Sequence, residues 1–394
     1  LSQSFRPVSA PDNAKADISC MQMEAVHEHI TAGFFKVFSE LGVTCNGHFN
    51  RRILQLNGDL FNHLSYAGVH VDYPVLVGRH CWQALADRII TESPELLFFN
   101  TFQKDGIAGW AEQFDRPVIA IVHNPGKFAD SEVCMRWARS GRLTVFCLAE
   151  HVQKSLLKRV PELEGRVHVH YAYEVLPPGP DEYDADADVL NIVIPGSVNY
   201  LNRGFDGLID TLKETGSALE RPVKFSIIAG GPDRKRLEED ISKYGLEKYF
   251  ELLPLDPLSG RVPHSLYLEA LGSCQAIMPL LPASRIDYLK SKVTSGVLAG
   301  LGAARPMICP PEVGEAYGFE PINLPTDRPF DISKADLSPA TLRDRRQRGL
   351  KIREISNKHN REVIERVLAD HGLVHKDRVD ATAEAEKPRR RWFR

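Results

Sequence analysis

The sequence predicts an α/β protein made of two successive units, each built on a parallel sheet. Three observations carry that prediction. Short apolar runs alternate with longer amphipathic stretches through most of the chain, the pattern of strand–helix–strand crossovers. A proline- and acid-rich stretch near the middle breaks the alternation, which restarts directly after it. The length, 394 residues, suits two domains of about 150 to 200 residues better than one.

In the first half, residues 18–23 read as a strand and 29–41 as a helix, with Ile30, Phe34, Phe35, Val37 and Phe38 at helical spacing. Residues 51–66 read as a second helix and 69–72 as a strand. A helix over 82–91 runs into the apolar strand 95–101, and strands at 117–124 and 143–148 follow, the last leading to a helix over 150–159. Between Val175 and Val189 the prolines and acidic residues suit neither sheet nor helix interior, so this stretch reads as a linker. Beyond it come strands at 190–194, 223–229, 249–253, 275–278 and 306–309. Helices are expected at 205–215, 234–244, 265–271 and 292–301. The charged segment 339–369 reads as a solvated closing helix. The implied boundaries are 1–175, a linker over 176–189, 190–338, the closing helix 339–372 and a basic tail 373–394.

Composition narrows the function classes. Hydrophobic residues at 43% and charged ones at 26% are those of a globular chain, and a net charge of −3 offers nucleic acid no global attraction. The seven cysteines (Cys20, Cys45, Cys81, Cys134, Cys147, Cys274 and Cys309) are scattered without a C-x-x-C pair, which argues against a disulfide framework or structural zinc. No apolar run reaches the roughly 18 residues of a spanning helix. Leu1 to Ala16 is polar, unlike a secretory signal, and lacks an initiator Met, so a trimmed start and a cytoplasmic location are expected.

Three strand-end loops in the second half suit an anion. Pro195-Gly-Ser-Val-Asn-Tyr-Leu-Asn-Arg-Gly-Phe205 places Gly196 and Ser197 after a strand and Arg203 at the start of a helix. There backbone N–H groups, the helix dipole and a fixed cation act together. Ile228-Ala-Gly-Gly-Pro-Asp233 brings Gly230 and Gly231 to the same edge, followed by Lys235. The third loop carries Arg285, Lys290 and Lys292 into Thr294-Ser-Gly296, at the front of a small-residue helix. In an open parallel sheet, ligands bind outside the carboxyl ends of strands, where all three loops are expected.

The run of a Gly-Ser loop, Arg-Gly-Phe, Ile-Ala-Gly-Gly, Leu-Gly-Ser-Cys-Gln-Ala-Ile-Met-Pro, Thr-Ser-Gly and Ala-Arg-Pro-Met-Ile resembles the donor domain of GT-B glycosyltransferases. It is most similar to the retaining group that includes glycogen-synthase-like and bacterial polysaccharide transferases, and the match spans 190–318. The resemblance implies two Rossmann-like domains facing each other across a cleft. It implies transfer of a hexose from a nucleotide diphosphate sugar to a glycan, a lipid-linked or another acceptor, in cell-surface polysaccharide or glycoconjugate synthesis. Gly196, Ser197, Asn199, Arg203, Thr294, Ser295 and Gly296 then lie at the donor phosphates and Leu253 near the base. Lys235 and Lys292 are candidates for a second cation. The group often carries two glutamates eight positions apart; the matching positions here are Ser291 and Ala299, neither of them acidic.

The first half offers His123 and Asn124 at a strand end, with Asn100 and Thr101 ending the preceding strand. A histidine there can orient an acceptor hydroxyl or bond the transferred sugar. His29, in the cluster Glu24, His27, Glu28 and His29, is a further acceptor-side candidate. Asp184, Asp186 and Asp188 form Asp-x-Asp patterns only inside the acidic linker, so no metal and no cofactor is expected, the nucleotide sugar being the substrate. The ending Lys387-Pro-Arg-Arg-Arg-Trp-Phe-Arg394 suits peripheral contact with anionic lipid. Two other classes share this fold: a sugar-nucleotide epimerase and a catalytically silent binding module.

Overall fold

In the computed structural model, the structure describes residues 15–24, 27–57, 60–62, 64–172, 183–216, 219–282 and 285–374. Half of the expected linker (176–182) and the cationic chain end, Lys387 to Arg394, lie outside them.

The first unit runs β1 (Ile18–Gln22), α1 (Glu28–Glu40), β2 (Cys45–Phe49), α2 (Arg52–Asn57), β3 (Val69–Asp72), α3 (Gly78–Glu92) and β4 (Leu96–Phe99). It continues with α4 (Asp105–Ala111), β5 (Val118–Ile121), α5 (Pro125–Ala129), α6 (Glu132–Arg139), β6 (Leu143–Cys147), α7 (Glu150–Arg159) and β7 (Val167–Val169). Its strands form one sheet in the order β3-β2-β1-β4-β5-β6-β7, every pair parallel. The strand order reverses between β1 and β4, which makes their carboxyl ends the place for a ligand. Successive residues of β4 alternate between two cores. Leu96 and Phe98 join the cluster under α1, while Leu97 and Phe99 join the one under α3 to α7.

The second unit runs β8 (Leu190–Ile194), α8 (Phe205–Thr215), β9 (Val223–Ile227), α9 (Arg234–Lys243), β10 (Phe250–Leu252), α10 (His264–Ser273) and β11 (Ala276–Ile277). After these come α11 (Asp287–Lys290), α12 (Ser295–Gly302), β12 (Ile308–Cys309), α13 (Pro311–Tyr317) and β13 (Ile322–Asn323). The order is β10-β9-β8-β11, again all parallel, and a single parallel bridge from Ile277 to Met307 carries it on to the β12-β13 pair. Here the reversal falls between β8 and β11.

Three expectations need correction. The second helix ends at Asn57, with a short 3₁₀ turn at Leu60–Asn62, rather than reaching Tyr66. β2 and β7 were not expected; Asn46, Gly47 and His48 mask the strand character of β2, yet Cys45 and residues 47–49 are buried. The third correction concerns the closing helix α14 (Pro339–Asp370), which starts with Pro339 behind a Ser338 cap. It is not merely solvated. Leu342 enters the core of the second unit, whereas Val363, Ile364, Val367 and Leu368 enter that of the first. Asn360 accepts from the Tyr171 N–H at 2.8 Å and donates to the Tyr171 carbonyl at 2.9 Å. The helix therefore crosses back and belongs to both units.

Candidate active site

The loop after β8 turns at Gly196, whose φ of +91° lies in the region that favours glycine. It is pinned to the loop after β9: Val198 N–H donates to the Gly230 carbonyl at 2.9 Å, and Tyr200 N–H donates to Asp233 at 2.8 Å. A Cβ on Gly231 would stand 2.3 Å from the Val198 oxygen, and one on Gly230 would stand 2.0 Å from the Gly260 oxygen. These glycines admit backbone into close contact with backbone.

Arg203 comes from this first loop and is only 8% exposed. Its Nη1 donates to the Pro279 carbonyl at 2.8 Å, beyond β11, and to Thr294 Oγ1 at 3.0 Å, at the head of α12. The guanidinium thus sits where β8 and β11 diverge. Leu280, next to it, holds a φ of +47°, a strained conformation for a branched side chain, and its carbonyl accepts from Gly204 N–H. Burial pulls the Arg203 pKa down, and Tyr288 and Tyr317 partly offset this. Among the described residues no carboxylate pairs with it. In the same segment Asp287 binds both Arg285 (3.1 Å) and Lys292 (3.0 Å), and the hydrogen bond from Arg285 leads in holding its carboxyl down at about 2. Arg203, Arg285 and Lys292 thus stand with one carboxylate that pairs with only the last two, a local excess of positive charge suited to a diphosphate.

Thr294 is buried. Its hydroxyl faces Arg203 instead of capping α12, and its N–H donates to Tyr317 Oη at 3.0 Å. Ser197 and Ser295 are exposed at the same edge, while Gly296 packs beneath, against Pro279 and Pro195. Asn199 closes a local turn by accepting from Asn202 N–H, and Leu253 follows β10. Lys235 is a correction. Its side chain is 87% exposed and pairs with Glu239 on the outer face of α9, because helical phase turns the preceding Arg234 inward with Leu237 and Ile241. Arg234 then donates to the carbonyls of Ala229 and Leu253, fastening the ends of β9 and β10 together. That phase was readable in the sequence; the roles of Tyr288 and Tyr317 had no local signal.

The first unit presents its own cluster at the carboxyl ends of β1, β4 and β5. His123 Nε2 donates to the Asn100 carbonyl at 2.7 Å, leaving Nδ1 as the acceptor nitrogen. His27 stacks on His123 at 4.5 Å, and His29 lies edge-on to His27 at 6.3 Å. His27 has a φ of +73° and its carbonyl accepts from Asn100 Nδ2, so strained backbone sits in this cluster too. Burial, with His27 adding to it, lowers the His123 pKa to about 3; burial and His29 lower His27 to about 4. Burial also lowers His29 to about 4, followed by His264 at the start of α10 and then His123. These rings are neutral at physiological pH. His264, from the second unit, is thus near enough to act on His29 in the first.

Asn100 Oδ1 and Thr101 Oγ1 are buried with no hydrogen-bond partner among the described residues. Asn124 is a correction: its side chain accepts from Lys127 N–H as the cap of α5, beside Pro125 at the first helical position. Gln103 was missed; its Oε1 accepts from both His123 N–H (3.0 Å) and Asn124 N–H (2.7 Å). Among the described residues no group of three His, Cys, Asp or Glu side chains could hold a metal ion, and no helix is long and apolar enough to cross a membrane.

No protein-family model and no curated protein sequence matches the chain. Solved structures do. Anabaena Alr3699/HepE, solved in complex with UDP and glucose, is 12% identical, with a TM-score of 0.59 over 90% of this chain and 100% of that one. A glycosyltransferase from Rickettsia africae is 13% identical, with a TM-score of 0.56 over 90% of this chain and 99% of that one. A putative UDP-N-acetylglucosamine 2-epimerase from Listeria monocytogenes is 12% identical, with a TM-score of 0.54 over 90% and 95%. The chain is thus similar in fold to GT-B glycosyltransferases: two Rossmann-like units, one behind each edge of the cleft.

Proposed function

We propose that the chain is a glycosyltransferase that moves a hexose from a nucleotide diphosphate sugar to a hydroxyl acceptor. The observation that carries this reading is Arg203, a buried cation with no carboxylate partner among the described residues, set between β8 and β11 beside the N-terminus of α12. A buried charge is costly unless paired, and here the donor diphosphate is the missing partner. As the glycosidic bond breaks, charge grows on the diphosphate, and Arg203, Lys292 and the α12 N-terminus stabilise it without reorganising. Neutral His123 and His29 receive or orient the acceptor hydroxyl from the opposite edge. Uridine is the first base to test, because Alr3699/HepE was solved with UDP and glucose. A glycan or lipid-linked acceptor, and a place in polysaccharide synthesis, are part of the proposal.

The test is a thermal-shift screen of wild type and Arg203→Ala against UDP, GDP, ADP and CMP and their common sugars. A ligand that binds only the folded state raises the melting temperature by mass action. One nucleotide family that stabilises wild type but not the variant supports the donor site. A folded sample that answers to none of them overturns it. The epimerase-like neighbour favours a second reading, in which the neutral imidazoles work on the sugar itself. An epimer formed from a UDP-sugar without any acceptor would establish that reading instead.

A further inference from the structure

Helix α7 belongs to the first unit, yet its first turn grips the second. His151 Nδ1 lies 3.0 Å from the Ala316 carbonyl oxygen, and Nε2 lies 2.8 Å from the Lys292 carbonyl oxygen. The ring stands edge-on to Tyr317, centroids 4.8 Å apart. Both partners are carbonyls, which only accept, whereas a neutral imidazole carries one N–H. Both bonds are complete only when the ring is an imidazolium. Ala316 lies in the last turn of α13, where carbonyls lack partners within the helix and a positive group is favoured.

The contact leads straight to the donor site. Two residues beyond Lys292, Thr294 donates its N–H to Tyr317 Oη and accepts from Arg203 at its hydroxyl. Tyr317 in turn donates to the Tyr288 carbonyl at 3.0 Å. His151, Tyr317, Thr294 and Arg203 are therefore linked by direct contacts from one unit to the buried cation of the other.

We propose that protonated His151 is a positioning residue that holds the segment 287–294 and the Arg203 guanidinium in the arrangement that binds the donor diphosphate. The proposal rests on the donor-site reading above and adds a cross-unit, proton-dependent control of it. Other charged groups around the ring are already engaged or lie on its flanks. On α7, Glu150 accepts from Tyr171 Oη and pairs with Lys154. On the α11 side Asp287 is shared by Arg285 and Lys292, with Lys290 beside it, and α13 contributes Glu312, which accepts from Thr326, and Glu315. Among the described residues none forms an ion pair with the ring, so carbonyl dipoles alone answer its proton.

The experiment is calorimetric titration with UDP-glucose, whose diphosphate has no titrating oxygen near neutrality, at about pH 6 and about pH 8.5. Wild type, His151→Lys and His151→Gln are compared, with melting temperatures confirming that each is folded. Wild type is expected to lose about tenfold in affinity over this range, as one charge-assisted bond is lost. His151→Lys, with a permanent ammonium, is expected to show a flat profile, and His151→Gln weak binding at both pH values. A second measurement needs no ligand: ring ¹⁵N shifts of histidine-labelled protein should show His151 protonated on both nitrogens at the lower pH. Identical pH profiles for wild type and His151→Gln, or a ring nitrogen with a free lone pair at the lower pH, overturn the proposal. Absence of binding by UDP-glucose and by every other sugar nucleotide of the thermal-shift screen, with the ring doubly protonated, points to failure of the donor reading, and the positioning role falls with it.

Discussion

Arg203 and Thr294 stand 91 positions apart in the chain, yet the guanidinium donates to the threonine hydroxyl at 3.0 Å inside the second unit. The bond joins the loop that follows β8 to the helix that follows β11, and it fixes the cation at the point where the strand order reverses. Thr294→Val keeps the shape and removes the acceptor. Because the hydroxyl does not cap α12, helix stability should fall by only about 1 kcal/mol, whereas donor affinity should fall by about tenfold. Isothermal titration alongside thermal melting separates the two effects. A melting-temperature collapse with unaltered affinity would contradict this assignment.

Close packing sets a second expectation. A Cβ on Gly204 would lie 1.9 Å from Cζ of Phe330, although the backbone there suits any residue. Gly204→Ala should therefore destabilise by about 1–3 kcal/mol through overpacking alone. Adding Phe330→Leu should restore part of that loss, and a double-mutant cycle in urea measures the coupling. Additive effects would mean that the two residues do not press on one another.

The closing helix offers a third. Leu368→Ala removes a fully buried side chain from the core of the first unit and should cost about 2–5 kcal/mol. Asn360→Ala should cost about 1–3 kcal/mol by stranding both backbone groups of Tyr171. Hydrogen exchange should show the loss in α1 and β7 of the first unit, not only in the helix itself.

Acid should act through the histidine cluster. His27, His29 and His123 have folded pKa values lowered by burial to about 4, 4 and 3, below their ordinary 6.5. The folded state then binds fewer protons, so their contribution is present above pH 6.5 and is lost as the pH falls toward 4. His48 runs the other way. Burial pulls it down, but the hydrogen bond to Asp72 (2.9 Å) and the Glu92 carboxylate 3.4 Å from Nε2 outweigh that and raise its pKa. Its contribution is full below its unfolded pKa and fades as the pH rises through the folded one. Melting curves against pH should show His123→Gln less sensitive to acid than wild type, and His48→Gln losing most of its stability on the acid side of neutrality.

Much of this architecture is legible in the residues. Runs such as Leu96 to Phe99 and Val118 to Ile121 are apolar on both faces, as strands covered by helices on both sides must be. The strand-end glycines and Arg203 announce themselves by their positions after those strands. What local pattern does not contain is which distant groups meet. Lys235 and Arg234 are neighbours of like charge, and only helical phase against Leu237 decides which turns inward. Asn124 reads equally well as a site residue and as a cap, and the following Pro125 tips it toward the cap. Cys45 to Phe49 hides a strand because pairing with β1 and β3, rather than side-chain preference, makes it one.

The crossing of α14 also decides how the molecule can be cut. A fragment ending at residue 172 would carry a complete seven-stranded sheet but expose the apolar face that Val363, Ile364, Val367 and Leu368 cover. A fragment beginning at residue 183 would keep those same side chains with nothing to lie against. Mixed together, the two pieces have a reason to reassociate, whereas each alone has a reason to aggregate. A gene split in the interval between them thus makes a natural reporter, with the last helix as the strap that brings the pieces back together.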